Sequence, residues 1–210
     1  MTEMIPSTDF PKWHRSLALV FLALGAGGPA TAQTTPPTLT GVQLYTPFKP
    51  GGGLLIGVAV TGQASGSCFA ASAASPTRPD AYRCMSGNRI LDPCFTSLNP
   101  RDPMACSADP WSANAVLLTR SGALPGRTRA SEPNYPAGTP WALELANGQR
   151  CVALTGATAP VAGLRMNYGC PDGGVVAGPI DRTLPVWRVF YETGSRSLSL
   201  SQVGVRVAWF

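Results

Sequence analysis

Six cysteines constrain this chain more than any other feature: Cys68, Cys84, Cys94, Cys106, Cys151 and Cys170. An even cysteine count downstream of an export signal reads as a disulfide framework. Six cysteines allow fifteen pairings, and sequence does not choose among them. Nearest-neighbour pairing, Cys68–Cys84, Cys94–Cys106 and Cys151–Cys170, is the expectation. It closes short loops, the third tying together segments of one β-layer. Each such bridge would stabilise the fold by about 2–4 kcal/mol, mainly by restricting the unfolded chain. There is no C-x-x-C, so neither a redox pair nor a zinc knuckle is signalled.

The export signal stands at the N-terminus. Lys12 and Arg15 precede Leu17 to Ala26, "LALVFLALGA", an uncharged apolar run of ten residues. That is the length of a signal-peptide core and too short to cross a bilayer. Ala30-Thr31-Ala32 then fits the small-x-small rule, which predicts a signal peptide over residues 1–32 with cleavage before Gln33. No cysteine lies near that point, which argues against lipid attachment. No later apolar run approaches about 18 residues, so the mature chain is expected to carry no transmembrane segment.

Cleavage would change the inventory. The single histidine, His14, leaves with the signal, and the remaining 14 basic and 9 acidic residues again give a balance of +5. Only Lys49 of those basic residues is a lysine. A basic surface attracts anionic partners. The arginines are scattered, however, and form no run, which also fits the codon bias of a G+C-rich genome.

The mature chain is expected to hold a flexible lead-in at 33–41 and a single β-rich domain at 42–210. High proline (21) and glycine (23) with no long 3.6-period segment point to a mainly β fold, a disulfide-stapled β-sandwich or barrel-like domain with long loops. "VQLYTPF" reads as a short strand, and "LLIGVAVTG", Leu54 to Gly62, as an apolar, β-branched strand run bounded by glycines. "SCFAASAAS" fits a helical turn or a bend equally well. Pro76 to Pro110, rich in Pro, Asp, Asn and Ser, reads as a long stapled connection. Asn147-Gly148 within "WALELANGQRCVAL" is a strong hairpin signal, and Thr193-Gly194-Ser195 repeats it. Val203, Val205, Val207 and Trp209 are expected on one face of a terminal strand.

Catalytic chemistry is narrowed by elimination. Without a histidine, a Ser-His-Asp or Cys-His relay has no imidazole, and mixed Cys/His metal sites are excluded. The nucleotide, hydrolase and metalloprotease signatures are absent. Schiff-base chemistry would rest on Lys49 alone, which reads as a solvated loop residue. No catalytic residue, metal or cofactor is therefore expected. Asp80, Asp92, Glu132, Glu144, Asp172, Asp181 and Glu192 remain, but no spacing singles out the facing pair that a glycosidase needs. Trp111, Trp141, Trp187 and Trp209 could stack on a sugar, though tryptophans of β-rich domains more commonly fill the core.

The densest polar stretch is "RPDAYRCMSGNRILDPCF", Arg78 to Phe95. One reading is structural: Asp80 caps a turn, Asn88 takes a left-handed position after Gly87, and Arg83 or Arg89 pairs with Asp80 or Asp92. The other is functional, with a rigid loop presenting Tyr82, Arg83, Asn88 and Arg89 to a ligand.

This stretch, with "SCFAASAAS" before it and "PWALELANGQRC", "YGC" and "VWRV" after it, resembles a group of exported bacterial domains of unassigned function. Their pattern runs S-C-W/F, then R-P-D-A-W/Y-R-C-M-x-G-N-x-I-x-D-P-C-F, then P-W-x-L-x-L-x-x-G-x-x-C. The likeness covers Ser67 to Trp187, with Phe69 where tryptophan is usual. It implies a secreted or surface-displayed module and no particular activity. The leading expectation is thus a non-enzymatic exported module of the cell envelope or extracellular space. Its expected partner is an envelope polysaccharide or another anionic surface. The alternatives are a structural or stress-related envelope protein without a discrete ligand, and a carboxylate-dependent hydrolase.

Overall fold

Strands account for all the regular structure named in the computed structural model, which describes residues 37–126, 137–194 and 199–210. The expected signal peptide, the first residues of the lead-in, His14, Glu132 and Ser195 lie outside the described residues. A single edge strand, β1 (Gly41–Gln43), is followed by two closed barrels. Among the described residues no helix is long and apolar enough to cross a membrane.

The first barrel consists of β2 (Ala59–Ala71), β3 (Ala81–Ser86), β4 (Arg89–Phe95), β5 (Met104–Cys106) and β6 (Asn114–Arg120). These run as an antiparallel meander, and β6 closes on β2 in parallel over Ala59–Gly66. Closure removes the edges that a five-stranded sheet would expose. Gly66 of β2 shows how closely β2 and β3 pack: a Cβ there would clash with the Met85 carbonyl oxygen. Inside, Cys68, Tyr82, Cys84, Cys94, Met104, Cys106 and Leu118 form the core.

The second barrel takes β7 (Ala142–Leu145), β8 (Arg150–Ala153), β10 (Leu164–Gly169), β11 (Val175–Asp181), β12 (Arg188–Glu192) and β13 (Ser201–Trp209). Every pairing around it is antiparallel, including β13 on β7. The short β9 (Pro160–Val161) pairs with β10, and β1 adds to β13 in parallel. Leu143, Leu145, Tyr168, Val176, Val189 and Val205 are among the residues that fill it.

A third cluster joins the two barrels. Tyr45 and Phe48 from the segment after β1, Phe95 at the end of β4 and Trp141 just before β7 pack together, all buried. The ring centroids of Tyr45, Phe95 and Trp141 lie 5.2–6.0 Å apart with tilted or edge-on planes, the favoured aromatic geometry. Tryptophan as core thus holds for Trp141, and all the described residues belong to one compact unit.

The three bridges are Cys68–Cys84, Cys94–Cys106 and Cys151–Cys170, the nearest-neighbour set. The first joins paired positions of β2 and β3, and the second joins paired positions of β4 and β5. The third crosses between β8 and the residue after β10. Asn147-Gly148 turns the β7–β8 hairpin, with Gly148 at φ 87° and Leu145 accepting its N–H.

Six readings of the sequence need correction. The stretch from Pro76 to Pro110 is not an irregular connection, because it contains β3, β4 and β5. Its turn is Gly87-Asn88 between Ser86 and Arg89, and Gly87 (φ 57°), not Asn88, takes the left-handed position. That is the glycine-first two-residue hairpin. The strand expected from Leu54 starts at Ala59, since a turn through Gly57 (φ 98°) interrupts it. "SCFAA" is neither helix nor bend but the end of β2, and of "VQLYTPF" only Val42 and Gln43 are strand. Val203 and Val205 do not share a face with Trp209. A bulge between Val205 and Val207 shifts the alternation, so Val205, Ala208 and Phe210 are the buried residues. Thr40 is tied to the second barrel: its hydroxyl donates to the Val205 carbonyl and accepts the Trp187 N–H.

Candidate functional site

The four residues nominated from the sequence do not converge. Tyr82 is buried in the core of the first barrel. Its neighbour Arg83 points the other way, as strand alternation requires, and donates to the Thr155 carbonyl of the second barrel at 3.3 Å. Asn88 is exposed at the hairpin tip, several residues along at about 3.3 Å each. Arg89 is also exposed and lines a shallow hollow with Gln63 and Ser86. The hairpin therefore divides these side chains between a core, an inter-barrel contact and a solvent face.

Its two aspartates are engaged. Asp92 is the partner of Arg83, at 3.8 Å, and also accepts from the Ser72 hydroxyl and the Ala73 N–H. Burial pushes its pKa above the usual carboxylate value, although the hydrogen bonds from Ser72, Ala73 and Ala74 and the charge of Arg83 oppose that rise. Asp80 pairs with Arg78, a residue that the sequence reading did not weigh as its partner.

Three further acids are similarly tied to neighbours. Glu144 accepts from Arg206 at 2.8 Å and from the Trp209 indole at 3.1 Å, with Arg150 at 3.7 Å. Asp181 is bound by the Thr183 N–H and hydroxyl, and Asp172 by Tyr191 and the Gly174 N–H. The Tyr191 pKa rises to about 12, through burial first and then through Asp172. The tryptophans form no platform either: Trp111 and Trp187 carry arginines over their rings, Arg150 at 5.6 Å and Arg182 at 4.4 Å.

A concavity lies between the two barrels. It is a cleft of about 580 Å³, within the range of small-molecule sites. Ala73 and Ala74, just after β2, and Ala137 and Thr139, ahead of β7, form one wall. Leu154 after β8, Arg165, Asn167 and Tyr168 of β10, Gly178 to Ile180 of β11, and Arg182 form the other. Arg165, Asn167 and Tyr168 all line the cleft from β10, where the register against β11 shifts between Met166 and Tyr168. Among the described residues, no Asp or Glu lines this cleft.

Its polar groups are held by the backbone. Arg165 donates to the Gly156 carbonyl at 3.2 Å, Arg182 to Gly138 at 2.6 Å and Asn167 to Gly178 at 2.8 Å. One Asn167 N–H is thus committed, and its amide oxygen is the acceptor of the group. The Tyr168 hydroxyl donates to the Pro140 carbonyl at 2.7 Å, and burial raises its pKa. Burial also lowers the Arg182 pKa, partly offset by Tyr168. Chemically, the cleft offers fixed cationic donors above a floor of small apolar side chains. The sequence reading missed it. The only local signal was the outward Arg-x-Asn pair of "LRMNY", on a strand that was not identified.

Comparison of the chain with known protein families, with characterised proteins and with solved structures finds no match.

Proposed function

We propose that this protein is an exported, non-enzymatic module of the cell envelope or extracellular space that binds a ligand in the cleft between its two barrels. The observation that carries this reading is the cleft itself: about 580 Å³, lined by backbone-fixed Arg165, Asn167 and Arg182, between barrels braced by disulfides. A rigid scaffold with a preformed concavity lowers the ordering cost of binding. Three disulfides and no free cysteine are the mark of an oxidising environment, and the N-terminal apolar run supports export into one. The non-enzymatic reading is supported by the cleft lining, which includes no Asp or Glu among the described residues.

The partner class is an envelope polysaccharide or another anionic surface. The test is a binding screen of the mature protein against envelope polysaccharides, peptidoglycan and nucleic acid at physiological salt. It is run beside Ala137→Trp, which fills the cleft from an exposed position. At least one class should bind, and Ala137→Trp should weaken it tenfold or more. Silence across the panel, or binding indifferent to that substitution, would sink the reading.

A further inference from the structure

We propose that two linked loops, the segment 46–58 before β2 and the β4–β5 loop 96–103, form a docking face for an anionic lipid surface. The face shares no lining residue with the cleft, and the proposal does not rest on the cleft reading.

The first argument is exposure. Ile56 and Leu98 are 93% and 83% exposed, the highest values of any large apolar side chain among the described residues, and Leu55 is exposed as well. Turn geometry puts them there. The Leu55 carbonyl accepts the Val58 N–H across Ile56 and Gly57, and Gly57 takes φ 98°, so Ile56 holds the first central position of a tight turn. Leu98 stands just ahead of the turn in which the Asn99 carbonyl accepts the Asp102 N–H across Pro100 and Arg101. The two loops are bonded together: the Gly53 N–H donates to the Asp102 carboxylate at 3.1 Å, and the Ser97 hydroxyl and Asn99 amide donate to it from the other side. A hollow of about 360 Å³ lies between them, with Pro47, Phe48, Leu55 and Leu98 in its lining. Single exposed apolar residues need no explanation, but aliphatic side chains gathered on two fixed loops round an apolar hollow mark a contact surface.

The second argument is charge, and it selects the occupant. Lys49 lines the hollow itself, Arg101 is exposed three residues beyond Leu98, and Arg120 donates to the Pro100 carbonyl at 3.4 Å. A carbonyl holds the Arg120 guanidinium without neutralising it. Two acids accompany these cations. Asp80 is paired with Arg78, and Asp102 is held by the three uncharged donors just named. Among the described residues the loops therefore set three cations against the carboxylate of Asp102, in a chain of net charge +5. Cations round an apolar tip match a bilayer surface: the aliphatic side chains reach the acyl boundary while amine and guanidinium groups stay level with anionic headgroups. A protein partner fits this composition less well, because the cores of protein interfaces are rich in aromatic side chains and poor in lysine.

The test is co-sedimentation of the mature protein with vesicles of phosphatidylglycerol and phosphatidylethanolamine, beside vesicles of phosphatidylcholine alone. The anionic vesicles should bind at least tenfold more tightly than the neutral ones, and rising salt should weaken that binding. Ile56→Ser and Leu98→Ser, at positions too exposed to carry the fold, should each weaken it by about tenfold, as losing one inserted aliphatic side chain does. Arg101→Gln should cost about fivefold, as losing one charge at the lipid surface does. Phe69→Ser, which removes an exposed apolar side chain from β2, should leave binding unchanged. No binding to the anionic vesicles, equal binding to both kinds, or binding indifferent to Ile56→Ser and Leu98→Ser would each overturn the proposal. A wild-type dimer that Leu98→Ser converts to a monomer would overturn it too, because the loops would then belong to a second copy of this chain. None of these results bears on the cleft, which Ala137→Trp tests separately.

Discussion

Arg78 and Asp80, two residues apart, form a fork-on-carboxylate pair: the Arg78 Nε–H donates to Oδ1 at 2.9 Å and an Nη2–H to Oδ2. The remaining Nη1 donates to the carbonyls of Tyr45 and Phe210, and the guanidinium sits 4.5 Å from the Phe95 ring centroid. Arg78 is 2% exposed. One buried cation thus ties the segment after β1, the end of β4 and the C-terminal residue to the aromatic junction of the barrels. Arg78→Lys keeps the charge but cannot fill the fork, and should cost about 3 kcal/mol, as breaking a buried pair does. Asp80→Asn should cost less, about 1–2 kcal/mol, because the Asp80 side chain is 34% exposed and water replaces it. Denaturant midpoints for the two variants should fall in that order. A midpoint for Arg78→Lys equal to wild type would remove the junction role.

The two barrels should respond differently to loss of their bridges. Four of the seven buried residues in the first-barrel core are disulfide cysteines, whereas the second is filled mostly by aliphatic and aromatic side chains. The bridges close sequence separations of 16, 12 and 19 residues, each expected to contribute about 3 kcal/mol. Replacing Cys151 and Cys170 by alanine should lower the midpoint and leave a folded protein. Replacing all four cysteines of the first barrel should strip hydrogen-exchange protection from β2–β6 while β10–β13 keep theirs. Equal loss in both barrels would contradict this.

Asp92 gives a pH signature with a definite sign. Its folded pKa lies above the ordinary value of 3.8, chiefly through burial, so the folded state holds the proton where the unfolded state has lost it. Stability therefore falls as pH rises from about 3.8 through the folded value. Asp102 and Asp181 are lowered by their hydrogen bonds, Ser97 first for Asp102 and the Thr183 N–H first for Asp181. Their contributions are present above 3.8 and lost below it, a separate window. The difference in midpoint between wild type and Asp92→Asn should shrink as pH rises above 3.8. A difference that grows with pH, or stays flat, would mean that the pairing with Arg83 outweighs burial.

Local signals in the sequence were legible where one short stretch decides the outcome. Asn147-Gly148 specifies a turn by itself, and cysteines 12 to 19 residues apart meet across adjacent strands. The first barrel was not legible. β2 reads "AVTGQASGSCFAA", too rich in Ala, Gly and Ser to look like a strand, and its 13 residues are held extended by pairing with both β3 and β6. β3 and β4 carry Arg, Asp and Pro because one face meets the second barrel, which hides the usual alternation. The cleft was less visible still. Arg165 and Arg182 line one cleft from β10 and from the residue after β11, and Ala73 and Ala74, which line it with them, come from nearly a hundred residues earlier.

Amide hydrogen exchange, with and without the tightest ligand from the binding screen, locates the site directly. Protection should rise at Leu154, along Arg165 to Tyr168, and at Gly178 and Ile180, and it should disappear in Ala137→Trp. Protection confined to the Tyr82–Arg89 hairpin, with the cleft unchanged, would place recognition on the first barrel and contradict the account.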